Sequence, residues 1–124
     1  MKFISLQHIS IEDPGTFKDF LIEDGHSITT IQLDEGDSIP NNLDEFDAML
    51  CMGGPMDTFM EDQYPWLVAE KKAIGEYVLN LKKPFLGFCL GCQLLGEVLG
   101  GKVVESKPPE IGVLDINIEA SAKE

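Results

Sequence analysis

The chain has 124 residues, enough for one domain, and 44% of them are hydrophobic at a mean hydropathy near zero, so a packed core rather than disorder is expected. Its 9 basic and 22 acidic residues give a formal charge of −13, which repels nucleic-acid phosphates and anionic membrane surfaces. Such a charge reads first as a solvated exterior, with a docking face for a basic partner as the alternative.

Lys2 to His8 reads as a first strand, with Phe3, Ile4 and Leu6 alternating only in part, as in a strand covered on both faces. This opening stretch is too short and too interrupted by Gln7 and His8 for a signal segment. Glu12-Asp13-Pro14-Gly15 is turn chemistry. Thr16 to Asp24 predicts a short helix with Phe17, Phe20 and Leu21 on its apolar face and Gly25 as its stop. Ser27 to Leu33 is a second strand, rich in β-branched residues. Asp34 to Phe46, acidic and carrying Gly36, Pro40 and Asn41-Asn42, reads as a surface loop with room for one helical turn. Asp47 to Met52 is a third, buried strand ending at Gly53-Gly54-Pro55.

Tyr64 to Leu81 is the clearest helix, with Leu67, Ile74, Val78 and Leu81 at helical spacing. Pro65 suits its first turn, and Glu61 and Asp62 suit the positive end of its dipole. Pro84 to Phe88 is a fourth strand, followed by a helix from Leu90 to Leu99 that Gly100-Gly101 closes. Lys102 to Glu105 and Ile111 to Ile118 read as two further strands. There are no repeats, no low-complexity tract and no linker. Strand–helix alternation in this order predicts a parallel sheet with helices on both faces. Functional groups in such folds gather at the carboxyl ends of the strands, so the loops after His8, Met52 and Phe88 matter most.

The chemistry centres on Gly87-Phe88-Cys89-Leu90-Gly91. A nucleophile between a strand and a helix, with a glycine two positions away on each side, forms an elbow that lifts its side chain above the sheet edge. The glycines leave room for close packing, and the helix beginning at Leu90 turns its positive end toward the sulfur and favours the reactive thiolate. Cys89 is then expected at positive φ, facing a cavity bounded by the Gly54 and Leu90 amides, which can receive an oxyanion. The plainer alternatives are a buried structural cysteine and, for Gly53-Gly54-Pro55, an ordinary turn.

Pro84 to Leu95 resembles the nucleophile signature of class I glutamine amidotransferases, and Met52-Gly53-Gly54-Pro55-Met56 resembles that family's oxyanion-strand segment. Tyr64-Pro65-Trp66-Leu67 with Glu70, and Pro109-Glu110-Ile111-Gly112, resemble its stand-alone, GMP-synthase-like members. The resemblance implies an α/β, flavodoxin-like fold, mostly parallel, with helices on both faces. It implies that residues 1–124 are a single, incomplete domain, the N-terminal portion of such a unit, truncated at its C-terminus. It also implies glutamine as substrate and Cys89 as nucleophile. Gly54 and Leu90 would form the oxyanion hole, and Gly53 and Gln93 would seat the substrate. A synthetase or other ammonia acceptor would be the partner, and no cofactor or metal is implied. Cys92 stands where many members have histidine or alanine, a departure expected to touch packing more than catalysis. For Gln93 the bland alternative is a solvated helix residue.

The larger departure is the catalytic histidine, which the family takes, as part of His-x-Glu, from a strand well downstream of the cysteine. Residues 90–124 contain no histidine, so this chain is expected to be inactive in turnover. His26 precedes the second strand and belongs at the opposite sheet edge, as a surface residue. His8 lies on the correct edge, but in a flavodoxin-like order one strand separates it from the elbow strand. Two strand spacings, about 10 Å, put it out of reach as a base, so it is expected to line the pocket or to be a strand-end polar residue.

The odd count of cysteines, Cys51, Cys89 and Cys92, argues against a secreted disulfide scaffold, and no apolar run approaches membrane-spanning length. A cytoplasmic setting follows. Cys89-Leu90-Gly91-Cys92 also supports a rival reading as a thiol–disulfide oxidoreductase, though that leaves the elbow glycines and Gly53-Gly54-Pro55 unexplained. A third reading is a non-catalytic binding or assembly module with an idle elbow. Zinc lacks a second pair of ligands, Cys51 reads as core, and Glu110 reads as strand entry. Exposed apolar sheet surface and an unpaired strand edge are expected to cause self-association or to need a companion chain.

Overall fold

A computed structural model describes residues 1–109 and 111–118. Among these, four strands form one wholly parallel sheet: β1 (Lys2–Gln7), β2 (Ser27–Gln32), β3 (Ala48–Cys51) and β4 (Phe85–Gly87), in the order β2-β1-β3-β4. Three α-helices accompany them: α1 (Thr16–Glu23), α2 (Trp66–Gly75) and α3 (Leu90–Val98). The fold class is thus the one expected, a flavodoxin-like parallel sheet with helices on both faces.

The period-2 alternation of the strands sorts the core into two layers. Ile4, Leu6, Met49 and Cys51 face α2 and α3, where Leu67, Ile74, Leu90 and Leu94 are all fully or almost fully buried. Phe3, Ala48, Leu50 and Met52 face the other way, toward Leu21 of α1. All four residues of β3 are buried, as a strand flanked by neighbours and covered above and below should be.

The elements depart from the sequence reading at several places. On α1 only Leu21 is buried; Phe17 and Phe20 stay 37% and 59% exposed, because one short helix touches this face of the sheet along a single row. The long helix does not run regularly to Leu81. It passes at Glu76 into a π turn through Asn80, which brings the Tyr77 hydroxyl to the Phe46 carbonyl at 3.0 Å while Val78 and Leu81 are only half-buried. Glu61, expected to serve the helix dipole, instead pairs with Lys71 at 2.8 Å, and Lys71 also reaches Glu97 of α3 at 3.1 Å.

Neither Lys102–Glu105 nor residues 111–118 form a strand. Their β-branched residues have the propensity, but a strand is stable only within a ladder, and these residues have no hydrogen-bonded neighbour among the described ones. Ile111 and Ile116 are 90% and 84% exposed. Glu110 lies outside the described residues. The acidic segment from Asp34 to Phe46 is a loop of turns and bends without a helical turn.

Candidate active site

The register aligns the functional loops. Leu6 pairs with Cys51, and Cys51 pairs with Gly87, across three adjacent strands. Two residues further along each strand come His8, Gly53 and Cys89, so all three emerge at the same height on the carboxyl edge. His26, at the start of β2, sits at the opposite edge, half-buried, its ring 5.6 Å from that of Phe3.

Cys89 takes φ 48° and ψ −106°, a left-handed conformation that a non-glycine residue adopts only when its surroundings impose it. The two glycines leave the room that it needs. A Cβ on Gly87 would lie 2.6 Å from the Cys92 nitrogen and 2.6 Å from the Gly91 carbonyl carbon. A Cβ on Gly91 would overlap the Cys51 carbonyl oxygen and come within 2.7 Å of its carbon. The first turn of α3 is therefore pressed directly on the backbone of β3 and β4. Gly91 N–H donates to the Met52 carbonyl at 3.1 Å, tying the elbow to the loop after β3.

That loop passes close to the cysteine. A Cβ on Gly53 would meet the Cys89 Cβ at 3.5 Å and collide with the Glu12 carboxylate; one on Gly54 would meet Leu90 Cδ2 at 3.3 Å. Among the described residues, the N–H groups of Gly54 and Leu90 donate no hydrogen bond. Cys92 and Gln93 N–H instead cap the Cys89 carbonyl, both at 3.1 Å. Two free amides beside a thiol at a helix N-terminus can hold the negative oxygen of a tetrahedral adduct.

Cys89 is exposed rather than enclosed. Two clefts lie elsewhere, one between residues 37–43 and α2 and one on the α1 face near Phe17 and Leu86. The elbow projects beyond the last ladder pair, with the Gly53–Gly54 loop beside it. Gln93 and Cys92 are exposed on the first turn of α3.

Behind the loop lies a polar cluster that sequence reasoning did not assemble. His8 is fully buried, with Nδ1 2.8 Å from the Gly53 carbonyl and Nε2 2.8 Å from Glu70 Oε1. The Cys51 thiol donates to the same carboxylate oxygen at 3.2 Å, while Glu70 Oε2 has no partner among the described residues. Trp66 stacks on the His8 ring at 5.4 Å and 19°. Burial alone would lower the His8 pKa, but the Glu70 hydrogen bond and charge, the Gly53 carbonyl and the Glu12 charge outweigh it and raise it. Burial, then the charge and hydrogen bond of Glu70, push the Cys51 thiol well up, so it stays protonated and unreactive.

The ligand atoms of His8, Cys51 and Glu70 lie within 4.8 Å of one another, close enough for a metal ion. They are one short of zinc's usual four, and each already hydrogen-bonds within the cluster. One signal for the cluster was present in the sequence: Glu70 falls between Leu67 and Ile74 on the buried face of α2. An acid on an apolar face needs a buried partner. Glu12, over Gly53, carried no such signal.

The family model described as "Glutamine amidotransferase class-I" matches residues 17–123. The chain belongs to that family. A glutamine amidotransferase-like protein of Salmonella typhimurium, YfeJ, is 34% identical over 90% of this chain and 47% of its own length. A glutamine-hydrolyzing GMP synthase subunit of Sulfurisphaera tokodaii is 40% identical over 61% of this chain and 37% of its own. Among solved structures, a glutamine amidotransferase from Methylobacillus flagellatus superposes with a TM-score of 0.81 at 32% identity, over 90% of this chain and 43% of that one. One from Thermotoga maritima gives 0.76 at 34%, over 81% and 43%. The chain thus spans less than half the length of these relatives. No helix of its described residues is long and apolar enough to cross a membrane.

Proposed function

We propose that this chain carries the nucleophile half of a glutaminase site: Cys89 attacks the side-chain carboxamide of glutamine, ammonia leaves, and water releases glutamate from the thioester. The observation that carries this is the strained Cys89 turn set beside the unpartnered Gly54 and Leu90 amides. The thiolate forms the new C–S bond, the carbonyl π electrons move to oxygen, and the two amides receive that charge. Gly53, on the loop that passes Cys89, and Gln93, whose N–H donates to the Cys89 carbonyl, are the groups proposed to seat the substrate. The ammonia goes to a synthetase partner, a reading that rests on the relatives that are subunits of GMP synthases.

Labelling tests the nucleophile. An electrophilic chloroketone analogue of glutamine is expected to modify Cys89 at least about tenfold faster than Cys92, and Cys51 not at all until the chain unfolds. Peptide mass mapping over a time course reads it. Equal labelling of Cys89 and Cys92 would remove the case for an activated elbow, and a reversible Cys89–Cys92 disulfide in its place would favour the redox reading.

The apolar groups left open point to assembly. Leu86 on edge strand β4 is 44% exposed, and Val113, Leu114 and Ile116 are also exposed. Exposed apolar side chains and an unpaired strand edge each favour association. Sedimentation is expected to show species heavier than the monomer, or a monomer only with a companion chain bound; a compact monomer at high concentration would contradict this.

A further inference from the structure

We infer that His8 and Glu70 are positioning residues for the oxyanion donor Gly54. This rests on the glutaminase reading above and adds the part that makes its hole rigid. The peptide joining Gly53 to Gly54 is trans, so its C=O and N–H point in opposite directions. His8 Nδ1 takes the carbonyl inward at 2.8 Å. The N–H of Gly54 is thereby turned away from the core, on the loop that passes Cys89. Without that grip, a Gly-Gly peptide has the freedom to flip and present its carbonyl oxygen to the developing charge instead.

The rest of the cluster holds His8 with a proton on both ring nitrogens, as the imidazolium. Gly53 O is only an acceptor, so Nδ1 must carry a proton. Nε2 faces the Glu70 carboxylate, which accepts from it and thereby fixes the ring. Cys51 steadies Glu70 from below, and Trp66 closes the ring's open face. Glu70 stands on α2 and His8 at the end of β1, so the hole is braced by two rigid elements rather than by the loop itself. Neither residue touches the reacting atoms.

Two electrophiles separate positioning from mere structure. Iodoacetamide alkylates Cys89 by displacement at carbon and generates no oxyanion. The γ-aldehyde analogue of glutamine adds to the thiolate: a C–S bond forms, the carbonyl π pair moves to oxygen, and solvent protonates it. Only the second reaction needs the hole. His8→Gln carries its amide to the Nε2 position and abandons Gly53, whereas His8→Asn keeps a donor at the Nδ1 position. His8→Gln is expected to weaken aldehyde binding at Cys89 by about tenfold or more, with the iodoacetamide rate changed by less than about twofold. His8→Asn should restore most of the loss. A parallel fall for both electrophiles, or unchanged aldehyde binding in His8→Gln, would overturn the role.

If His8→Gln does not fold, the wild-type chain decides by NMR. The Nδ1 nitrogen should be protonated, and the Gly54 amide should move downfield when the aldehyde binds; a bare Nδ1 or an unmoved Gly54 amide would overturn the proposal. If wild-type Cys89 takes up iodoacetamide but no aldehyde, the glutaminase reading itself falls, and the positioning role with it.

Discussion

Gly91→Ala is expected to lower the unfolding free energy by about 3 kcal/mol and to remove selective labelling of Cys89. The added methyl would overlap the Cys51 carbonyl oxygen and lie 2.9 Å from the Cys51 Cβ, both in a strand buried on every side. A flexible side chain can yield to such a collision, but the backbone of a central strand cannot without breaking its ladders to β1 and β4. The helix must therefore lift, and the elbow opens with it, because Gly91 N–H also holds the Met52 carbonyl. Gly96→Ala is the control on the same helix. Its Cβ would meet nothing within 4 Å, so it is expected to stabilise by up to about 1 kcal/mol through helix propensity. Urea denaturation of both variants, beside the wild type, reads the difference. Equal stability of the two alanine variants would mean that α3 does not press on β3 as described.

The elbow was legible because its demands are local. A strand, a left-handed residue and a helix need glycine on either side of the nucleophile, and Gly87 and Gly91 stand there. The strand order came with the flavodoxin-like resemblance, and β3 does lie between the strand that leads to His8 and the elbow strand β4. What sequence did not show is long-range. His8, Cys51 and Glu70 are separated by 43 and 19 residues and meet only because β1, β3 and α2 pack face to face. The failed strands at 102–105 and 111–118 have the same origin. Propensity is a property of a segment, but a ladder needs a neighbour, and the sequence of a segment does not say whether one is there.

The chain is expected to release ammonia from glutamine no faster than its own Cys89→Ala variant, even though Cys89 accepts the chloroketone. The reason lies in the proton. The elbow and the two amides provide a nucleophile and a place for negative charge, but the leaving ammonia needs a proton, which is the work of the imidazole in Cys–His pairs. Only two histidines are present. His26 is at the far edge of the sheet, and both ring nitrogens of His8 are occupied by Gly53 and Glu70 in a fully buried site. General acid–base catalysis is typically worth about 10²–10⁴ in rate, so its absence holds turnover near the uncatalysed level. Alkylation by a chloroketone expels chloride and asks for no acid, so it persists. Both measurements are made on one preparation, ammonia by a coupled assay and labelling by mass. Turnover that Cys89→Ala abolishes would show that a proton donor exists within these 124 residues. If His8→Asn, which keeps the donor to Gly53, abolished it too, with aldehyde binding and iodoacetamide labelling intact, His8 itself would be the proton donor, leaving Glu70 and reaching across β3, and its assignment to the Gly53 carbonyl would fail.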